Sequence, residues 1–408
     1  MKTNRNYSLL LASQFLSAFG VQAVLFVIIG QLTFRHNAGQ ITEKQLGIAN
    51  ALYACLLYLP YVGFAPLAGF LNDRFPKTNW LLGGNLISLA GAGLAALSLI
   101  GPSFWQAIGY FVVGLGACIF SPAKYGILPE ILTRERLVKA NGTIEMLTLV
   151  AILCGVVGGG WMVEKFTVAR CYAVLGAIFF VAVTLTLFMK KTPFKPDVQL
   201  GASVREFFVH FKSLMTTRRF AKMLLGTGIF WACGAILKMN FQGWGLSTLG
   251  LTDNIQISLL NLWLVIGIVI GSVLAGQLHR VGDLRWTQRY GWGLAALILS
   301  LSLIGRQTAH PVLVLILILA GTCGGLFLIP LNAAIQAETD PAKLGKTIAI
   351  QNFVNNAAML CGGGFMFLGT TLGNSPSGNF LALAVLIGAL VCWLRIPSLQ
   401  PAASKGPG

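Results

Sequence analysis

Long apolar runs, separated by short polar segments, make up most of this chain. A helix needs about 20 apolar residues to cross roughly 30 Å of hydrocarbon. Twelve runs approach or exceed this length, so the pattern predicts twelve membrane-spanning helices. Their predicted ranges are 8–34, 45–72, 79–100, 104–121, 139–163, 168–189, 219–248, 254–279, 287–305, 310–336, 345–371 and 379–396.

The polar segments divide these runs into two groups of six. We expect a first bundle over 1–189, a linker over 190–218, a second bundle over 219–396 and a tail over 397–408. Apolar residues at helical spacing predict one short amphipathic helix in the linker, 204–214. The spans use most of the chain, so we expect no separate soluble domain.

The two predicted bundles repeat each other. Pro122 and Pro330 end the fourth and tenth runs, and Glu130 and Glu338 follow them at the same offset of 208 residues. Triple glycines recur in the fifth and eleventh runs. Two six-helix repeats in one orientation are typical of transporters that bind substrate near the middle of the membrane, between the repeats.

The composition supports a membrane protein. Apolar residues are 56% of the chain and charged residues 10%, with a mean hydropathy of +0.76. A soluble domain carries roughly 25% charged residues. Soluble enzymes, nucleic-acid-binding proteins and disordered chains are therefore excluded.

The basic residues predict the orientation. Five of the 29 Lys and Arg residues lie in one set of predicted loops, one lies within a span, and the other 23 lie on the opposite side. Cytoplasmic loops carry this excess, so we expect both termini in the cytoplasm. The net charge of +17 then fits loops that face anionic lipid rather than nucleic acid.

No cofactor or metal site is predicted. The eight cysteines form no C-x-x-C pair and nearly all lie in apolar runs, where they are packing residues. H-E-x-x-H and Walker A sequences are missing from the chain, so we expect neither catalysis nor direct use of ATP.

The segment GFLNDRFPK after the second run resembles the loop signature G-x-x-x-D-R-x-x-R/K of the major facilitator superfamily. The resemblance implies a cytoplasmic latch, in which Asp73 caps a helix N-terminus and Arg74 pairs with an acid across the two halves. The alternative is an ordinary solvated loop. Together with the related segment GQLHRVGD, the predicted gating residues are Gly69, Asp73, Arg74, Lys77, Gly276 and Arg280.

Three further segments narrow the resemblance: QFLSAFG (14–20), SPAKYGILPE with VKANGTIEM (121–146), and IAIQNFVNNAAML (348–360). Together they closely resemble the bacterial lysophospholipid transporter family. The resemblance implies an all-α major facilitator fold in the bacterial inner membrane. It also implies flipping of lysophosphatidylethanolamine or lysophosphatidylglycerol from the outer to the inner leaflet. A separate acyltransferase/acyl-carrier-protein synthetase would then complete phospholipid remodelling.

One position departs from this family. The family usually carries an acidic residue and an asparagine after SAFG, where this chain has Val21 and Gln22. An acid in the first span would be the natural carrier of a coupling proton or sodium ion. We therefore name no coupling ion from the sequence.

Two lysines are candidate phosphate ligands. Charges inside a bilayer cost about 3 kcal/mol and usually have a function. Lys238 lies within the seventh span with no acid in its local segment, and Lys124 lies where the fourth span meets the cytoplasm. Alternatively, Lys238 extends to the outer interface and Lys124 anchors the span or pairs with Glu145.

Polar side chains in three spans are further candidates. Asn141 and Glu145 share one face of the fifth span, where Glu145 is a proton acceptor or a structural hydrogen-bonding group. Amides in the first and eleventh spans bind glycerol hydroxyls and phosphate esters, or else hold helices together. The predicted substrate-binding residues are Lys238, Lys124, Glu145, Gln22, Asn141, Gln351, Asn352, Asn355 and Asn356.

Two other functions stay open at this point. One is a major facilitator that exports amphiphilic compounds or drugs, which need not recognise phosphate. The other is a membrane enzyme or scaffold, which no catalytic motif in the sequence supports. For the lysophospholipid transporter, we expect lateral openings between the bundles, because each CH₂ of an acyl tail prefers the bilayer by about 0.8 kcal/mol.

Overall fold

The computed structural model describes residues 5–193, 199–279, 282–340 and 343–396. Within them, the side chains of Asp73, 134–139, Asn141, Glu145 and Gly345 are not described. The described residues fold into helices and contain no strand. The helices are α1 (Arg5–Asn37), α2 (Glu43–Gly63), α3 (Ala65–Arg74), α4 (Lys77–Ala96), α5 (Phe104–Gly126), α6 (Leu128–Ile131), α7 (Arg134–Lys165), α8 (Val168–Leu187), α9 (Leu200–Thr216), α10 (Arg218–Gly243), α11 (Asn254–Leu278), α12 (Thr287–Leu301), α13 (His310–Glu338), α14 (Leu344–Thr371) and α15 (Pro376–Trp393).

Twelve of these helices correspond to the predicted spans, and α3, α6 and α9 are shorter additions. Ten helices in the described parts of the chain are long and apolar enough to cross a membrane. Of the other two, α12 has 15 residues and α14 carries four amides. The all-α prediction is confirmed, and the helix arrangement is consistent with twelve spans.

The second predicted span, 45–72, is divided in the structure. The α2 helix ends at Gly63 and α3 begins at Ala65, with Phe64 at φ −111° and ψ 5° between them. Pro60 and Pro66 flank this break. Proline lacks an N–H and its ring clashes with the preceding turn, so two prolines so close together favour a break. The apolar pattern misses it because proline does not interrupt an apolar run.

The two halves of the molecule, α1–α8 and α10–α15, are built alike at their ends. Asn6 in α1 exchanges hydrogen bonds with the main chain of Lys190, just after α8. In the second half, Lys222 Nζ in α10 donates to the carbonyl oxygens of Trp393 and Arg395 at 2.9 and 2.6 Å. Each half therefore ties its first helix to the end of its last.

Because the spans alternate in direction, the start of α1 and the end of α15 lie at one face of the bundle. We call this the terminal face and the opposite one the far face. Helix α9, between the halves, begins earlier and ends later than the predicted 204–214. It packs against α3 of the first half and against α10 and α14 of the second.

Glycines bring several pairs of helices into backbone contact, α11 and α13 most closely. A methyl group built on Gly267 of α11 would lie 2.0 Å from the carbonyl oxygen of Ile318 in α13. One built on Gly321 of α13 would lie 1.9 Å from the carbonyl oxygen of Leu264 in α11. Glycines bring α4 and α5 together in the same way. Side chains at these positions would force the helices apart.

Candidate functional site

A cavity of about 290 Å³ lies between the two halves. Its walls come from α1, α2, α5 and α7 on one side and from α10, α11, α13 and α14 on the other. It extends from Gln22, in the middle of α1, to Tyr125, in the last turn of α5. The cavity therefore runs from the middle of the bundle toward the terminal face.

The structure brings most of the predicted binding residues to this one cavity. The two predicted residues on α7, Asn141 and Glu145, have side chains outside the described set. The predicted residues that line the cavity are Lys238, Lys124, Gln22, Gln351, Asn352, Asn355 and Asn356.

Lys238 spans the two halves in the middle of the bundle. Its Nζ donates a hydrogen bond of 3.1 Å to Oε1 of Gln22, which is 7% exposed. Among the described residues that line the cavity, none is Asp or Glu. An ammonium group is expensive to bury without a counter-charge. The partner in this structure is a neutral amide, so the site is electrostatically suited to an anion.

Lys124 lies at the terminal end of the cavity and is 8% exposed. Its Nζ is 3.4 Å from Oγ1 of Thr148 and 4.8 Å from the ring centroid of Tyr125. Gln14 also donates to Thr148 Oγ1, at 2.5 Å. The two lysines thus lie at different depths of the same cavity.

Amide side chains form the wall contributed by α13 and α14. Gln351 Nε2 donates to Asn332 Oδ1 at 2.7 Å, and Asn355 Oδ1 accepts from Thr227 Oγ1 at 2.9 Å. Asn356 donates within its own helix. Each amide has two donors and one acceptor oxygen, so these bonds leave capacity for a ligand.

Several polar residues that line the cavity escaped the sequence prediction. Asn332 and Gln336 of α13 stand at i and i+4, as pairs of the predicted amides in α14 do, so the sequence alone indicates that they share one helix face. Asn261 of α11 and Tyr58 and Tyr61 of α2 are single polar groups in apolar surroundings. Nothing in the sequence alone distinguishes them from packing residues.

At the far face, hydrogen bonds join the two halves. Gln242 Nε2 donates to Thr33 Oγ1 at 2.5 Å, and Asn50 Nδ2 donates to the carbonyl oxygen of Met239 at 2.9 Å. Lys44 Nζ donates to the carbonyl oxygen of a residue at the end of α14 at 3.0 Å. The hydrogen bonds found between described residues of the two halves lie at the level of Lys238 or nearer the far face.

A carboxylate closes the α7–α11 seam at the same face. Glu164 Oε1 accepts from the main-chain N–H of Asn254 at 2.9 Å and from its Nδ2 at 2.8 Å. Asn254 is the first residue of α11, where unpaired N–H groups favour a negative charge. The far end of this seam is thus held by a charge-assisted contact.

One glycine of each triple lies on a seam between the halves. A methyl group built on Gly160 would lie 2.3 Å from Ser258 Oγ across the α7–α11 seam. One built on Gly363 would lie 2.4 Å from Cys55 Sγ across the α2–α14 seam. Small residues therefore let the halves close tightly toward the far face.

The comparisons with known proteins identify the family. The model of the Major Facilitator Superfamily matches residues 10–363. The Lysophospholipid transporter LplT of Salmonella arizonae is 33% identical over 395 residues, which cover 94% of each chain. That of Photorhabdus laumondii is 31% identical over 401 residues, 96% of each chain. This chain belongs to the lysophospholipid transporter family of the major facilitator superfamily.

Solved major facilitator structures share the fold. A POT family transporter in complex with 5-aminolevulinic acid superposes with a TM-score of 0.74 at 13% identity, over 97% of this chain and 96% of that chain. A bacterial homolog to the human lysosomal transporter Spinster gives 0.70 at 14% identity, over 98% and 100%. At this identity the likeness concerns the fold alone.

The superfamily's loop segment lies at the terminal face of this major facilitator. Lys77 forms an ion pair with Glu130 within the first half. The guanidinium of Arg74 lies 5.8 and 5.6 Å from the ring centroids of Phe70 and Phe75. The described side chains provide no acid in ion-pair contact with Arg74, so its predicted pairing across the halves stays a prediction.

The two predicted gating glycines have open space around them. A methyl group built on Gly69 or on Gly276 would meet no atom within 4 Å. Neither glycine is therefore required by close packing in this conformation. The Asp73 side chain and Arg280 lie outside the described residues.

Proposed function

We propose that this protein transports lysophospholipids, of the lysophosphatidylethanolamine and lysophosphatidylglycerol type, from the outer to the inner leaflet of the bacterial inner membrane. The terminal face and both chain ends lie in the cytoplasm, in keeping with the loops of the far face, which carry few of the basic residues. The observation that carries the proposal is the cationic cavity between the halves, with Lys238 bonded to a neutral amide.

The lysophospholipid phosphate supplies a negative charge that the described residues lining the cavity do not provide. A phosphate oxygen accepts from Lys238 in a charge-assisted hydrogen bond, which is about twice as strong as a neutral one. Gln22 holds the ammonium in place without competing for its charge. Lys124 receives the headgroup at the cytoplasmic end of the same path, and the amide wall binds the glycerol hydroxyl.

The acyl tail leaves the cavity sideways through the α7–α11 seam. The cavity is bordered there by aliphatic residues on both helices: Leu149 and Leu153 on α7, and Val265 and Ile268 on α11. The α2–α14 seam presents tyrosines and amides instead. A tail that stays in the bilayer avoids about 0.8 kcal/mol per CH₂ of exposure to water.

Alternating access then exchanges the two ends of the interface. In this conformation the far face is closed and the cavity extends toward the terminal face. Substrate entry from the outer leaflet requires the far-face hydrogen bonds and glycine contacts to separate. After release into the inner leaflet, a separate acyltransferase restores the second chain.

The test is uptake of labelled lysophosphatidylethanolamine into spheroplasts that lack their own transporter. Wild type is expected to move the lipid inward, and Lys238→Ala and Lys124→Ala to lose at least about tenfold of the rate at equal expression. Lys238→Arg keeps the charge and retains measurable uptake. Lys165→Ala, at an exposed lysine of the far face, is the matched control and leaves the rate unchanged.

Two outcomes count against the proposal. Wild type that moves no lysophospholipid, while lowering the cell content of an amphiphilic drug, makes the protein an exporter. Undiminished uptake by Lys238→Ala removes the cationic phosphate site. For the tail path, a lysophospholipid with a photoreactive group at its tail end is expected to label α7 and α11. Labelling confined to α2 and α14 contradicts that path.

A further inference from the structure

Helix α9 differs from the spans in being amphipathic. It joins the two halves at the terminal face and is described over its full length of 17 residues. One side is apolar and packed, and the other carries charged residues and faces away from the protein. A helix of this kind, with a basic polar face, characteristically lies in the plane of a membrane interface.

The packed side of α9 is fixed to the second half. Phe207 and Phe211 both meet the ring of Phe353 in α14, edge to face, with ring centroids 5.8 Å apart. Leu214 is 7% exposed in the same apolar cluster. Burial of this side determines which residues the helix turns outward.

Two polar contacts hold α9 in the same rotation. Glu206 forms an ion pair with Lys346, at the start of α14. His210 Nε2 lies 3.1 Å from Oγ1 of Thr347. The one acid of this helix is therefore paired with a lysine of α14, although its side chain stays 60% exposed.

The outward side carries a stripe of Arg205, Phe208 and Lys212 at i, i+3 and i+7. Residues at this spacing share one helix face. Phe208 is 50% exposed, and both basic residues are exposed. Among the described residues, neither cation has an ion-pair partner. An aromatic ring between two basic residues is typical of a helix face at a membrane interface, where the ring leaves water and the cations stay near the headgroups.

We propose that this stripe binds the anionic phospholipid headgroups of the leaflet at the terminal face. Phe208 inserts at the boundary between headgroups and acyl chains, while Arg205 and Lys212 contact lipid phosphates. The opposite charges of stripe and leaflet support this ligand: each basic residue near an anionic membrane surface contributes about 1 kcal/mol, or roughly fivefold in binding. The stripe is distinct from the transport cavity, because none of its residues lines that cavity.

The position of α9 makes this contact relevant to the conformational cycle. The helix is anchored to α14 but also packs against α3 of the first half. Closing the terminal face, as the far face opens, must move α3 relative to α14, so α9 must release one of them. Lipid headgroups that hold α9 at the surface, on α14, favour its release from α3.

The experiment is hydrogen–deuterium exchange of the 200–216 peptide, in the full chain, in two kinds of nanodisc. One contains phosphatidylcholine alone and the other includes phosphatidylglycerol. We expect α9 amides to exchange at least about fivefold more slowly with phosphatidylglycerol, and the difference to shrink in high salt. The double variant Arg205→Gln/Lys212→Gln loses the difference. Lys165→Gln/Arg170→Gln removes two exposed charges at the far face and keeps it.

The wild-type lipid comparison stands without any variant, so a variant that fails to fold does not remove the test. Equal exchange of α9 in the two bilayers overturns the proposal. So does equal loss of the lipid effect in both double variants, which marks a general charge effect. If α9 is protected by a soluble acidic protein but not by phosphatidylglycerol, the stripe binds a protein instead.

Discussion

The two ends of the interface between the halves are built from different chemistry. At the far face, polar groups bond directly across the interface, and Gly160 brings α7 against Ser258 of α11. From Lys238 toward the terminal face, the same helices diverge around a cavity lined by amides and two lysines. One end satisfies its polar groups internally, and the other keeps hydrogen-bonding capacity for a ligand.

This difference indicates which contacts stabilise the far-closed conformation and must break when the protein changes conformation. Single interhelical hydrogen bonds in a membrane contribute about 0.6 to 2 kcal/mol. A handful of them holds the far face closed, yet is weak enough to open in a transport cycle. Substitutions at the far face therefore test whether its contacts open and close during transport. Substitutions in the cavity test whether it binds the substrate.

The largest effect is expected at Gly160. In Gly160→Leu the added side chain collides with Ser258 and keeps α7 from closing on α11 at the far face. We expect uptake of labelled lysophosphatidylethanolamine to fall by more than about tenfold. A methyl group on Gly364 meets no atom within 4 Å, so Gly364→Leu is the matched control with normal uptake. Normal uptake in Gly160→Leu contradicts a tight far closure.

A charge placed in the cavity is the next test. Gln22→Glu puts a carboxylate beside the ammonium of Lys238, where it pairs with the lysine and competes with a lipid phosphate. We expect the half-saturating concentration of lysophospholipid to rise about tenfold. Gln22→Asn stays neutral and serves as the control. If the half-saturating concentration is unchanged in Gln22→Glu, Lys238 does not bind the lipid phosphate.

Glu164 tests the charge-assisted part of the far closure. Glu164→Gln retains an acceptor for Asn254 but removes one of the two negative charges at the start of α11, because the N-cap residue Asp253 keeps its own. The expected loss is about 1 kcal/mol, or fivefold in the population of the far-closed state. Spin labels at Gln40 and Asn374, with exposed cysteines replaced, report the distance across the far face. Glu43→Gln, in an exposed acid of the same face, leaves that distance distribution unchanged.

The smallest effect is a pH dependence of α9. Burial, then the charges of Lys343 and Lys346, lower the pKa of His210 below 6.5, while Glu206 acts against them. Because the docked state then binds the proton less tightly, the docking free energy of α9 is unaffected by His210 above about pH 6.5 and falls as pH drops below it. Exchange of α9 amides, corrected for intrinsic rates, is expected to increase between pH 7.5 and 5.5. His210→Gln is expected to abolish this increase in exchange. If the increase persists in the variant, another group causes it.

The helices were predictable because membrane thickness sets their length, and the apolar runs match it. The errors occurred where the apolar pattern carries no information. At Phe64 the backbone breaks between two prolines, which an apolar count treats as ordinary residues. The α5 helix continues to Gly126, beyond the predicted end of its span at 121, and Lys124 and Tyr125 in its last turn line the cavity.

Most of the predicted residues that line the cavity could be found from the sequence, but the hydrogen bonds between lining residues could not. Lys238 and the amides of α14 were identified because a polar group inside a span must face protein or water. The bond from Lys238 to Gln22 joins residues 216 positions apart, and its geometry depends on helix rotation. Rotation is not readable when nearly every face of a helix is apolar. The pair of Gln351 with Asn332 was missed for the same reason.

The backbone contact between α11 and α13 makes the two helices one mechanical part. With Gly267 and Gly321 each lodged against the opposite main chain, neither helix has room to slide or rotate on its own. When the α7–α11 seam opens, α11 takes α13 with it, and α13 carries Asn332 and Gln336 on the cavity wall. Because α11 and α13 move together, opening the α7–α11 seam for a lipid tail also displaces the amides of α13 that face the headgroup.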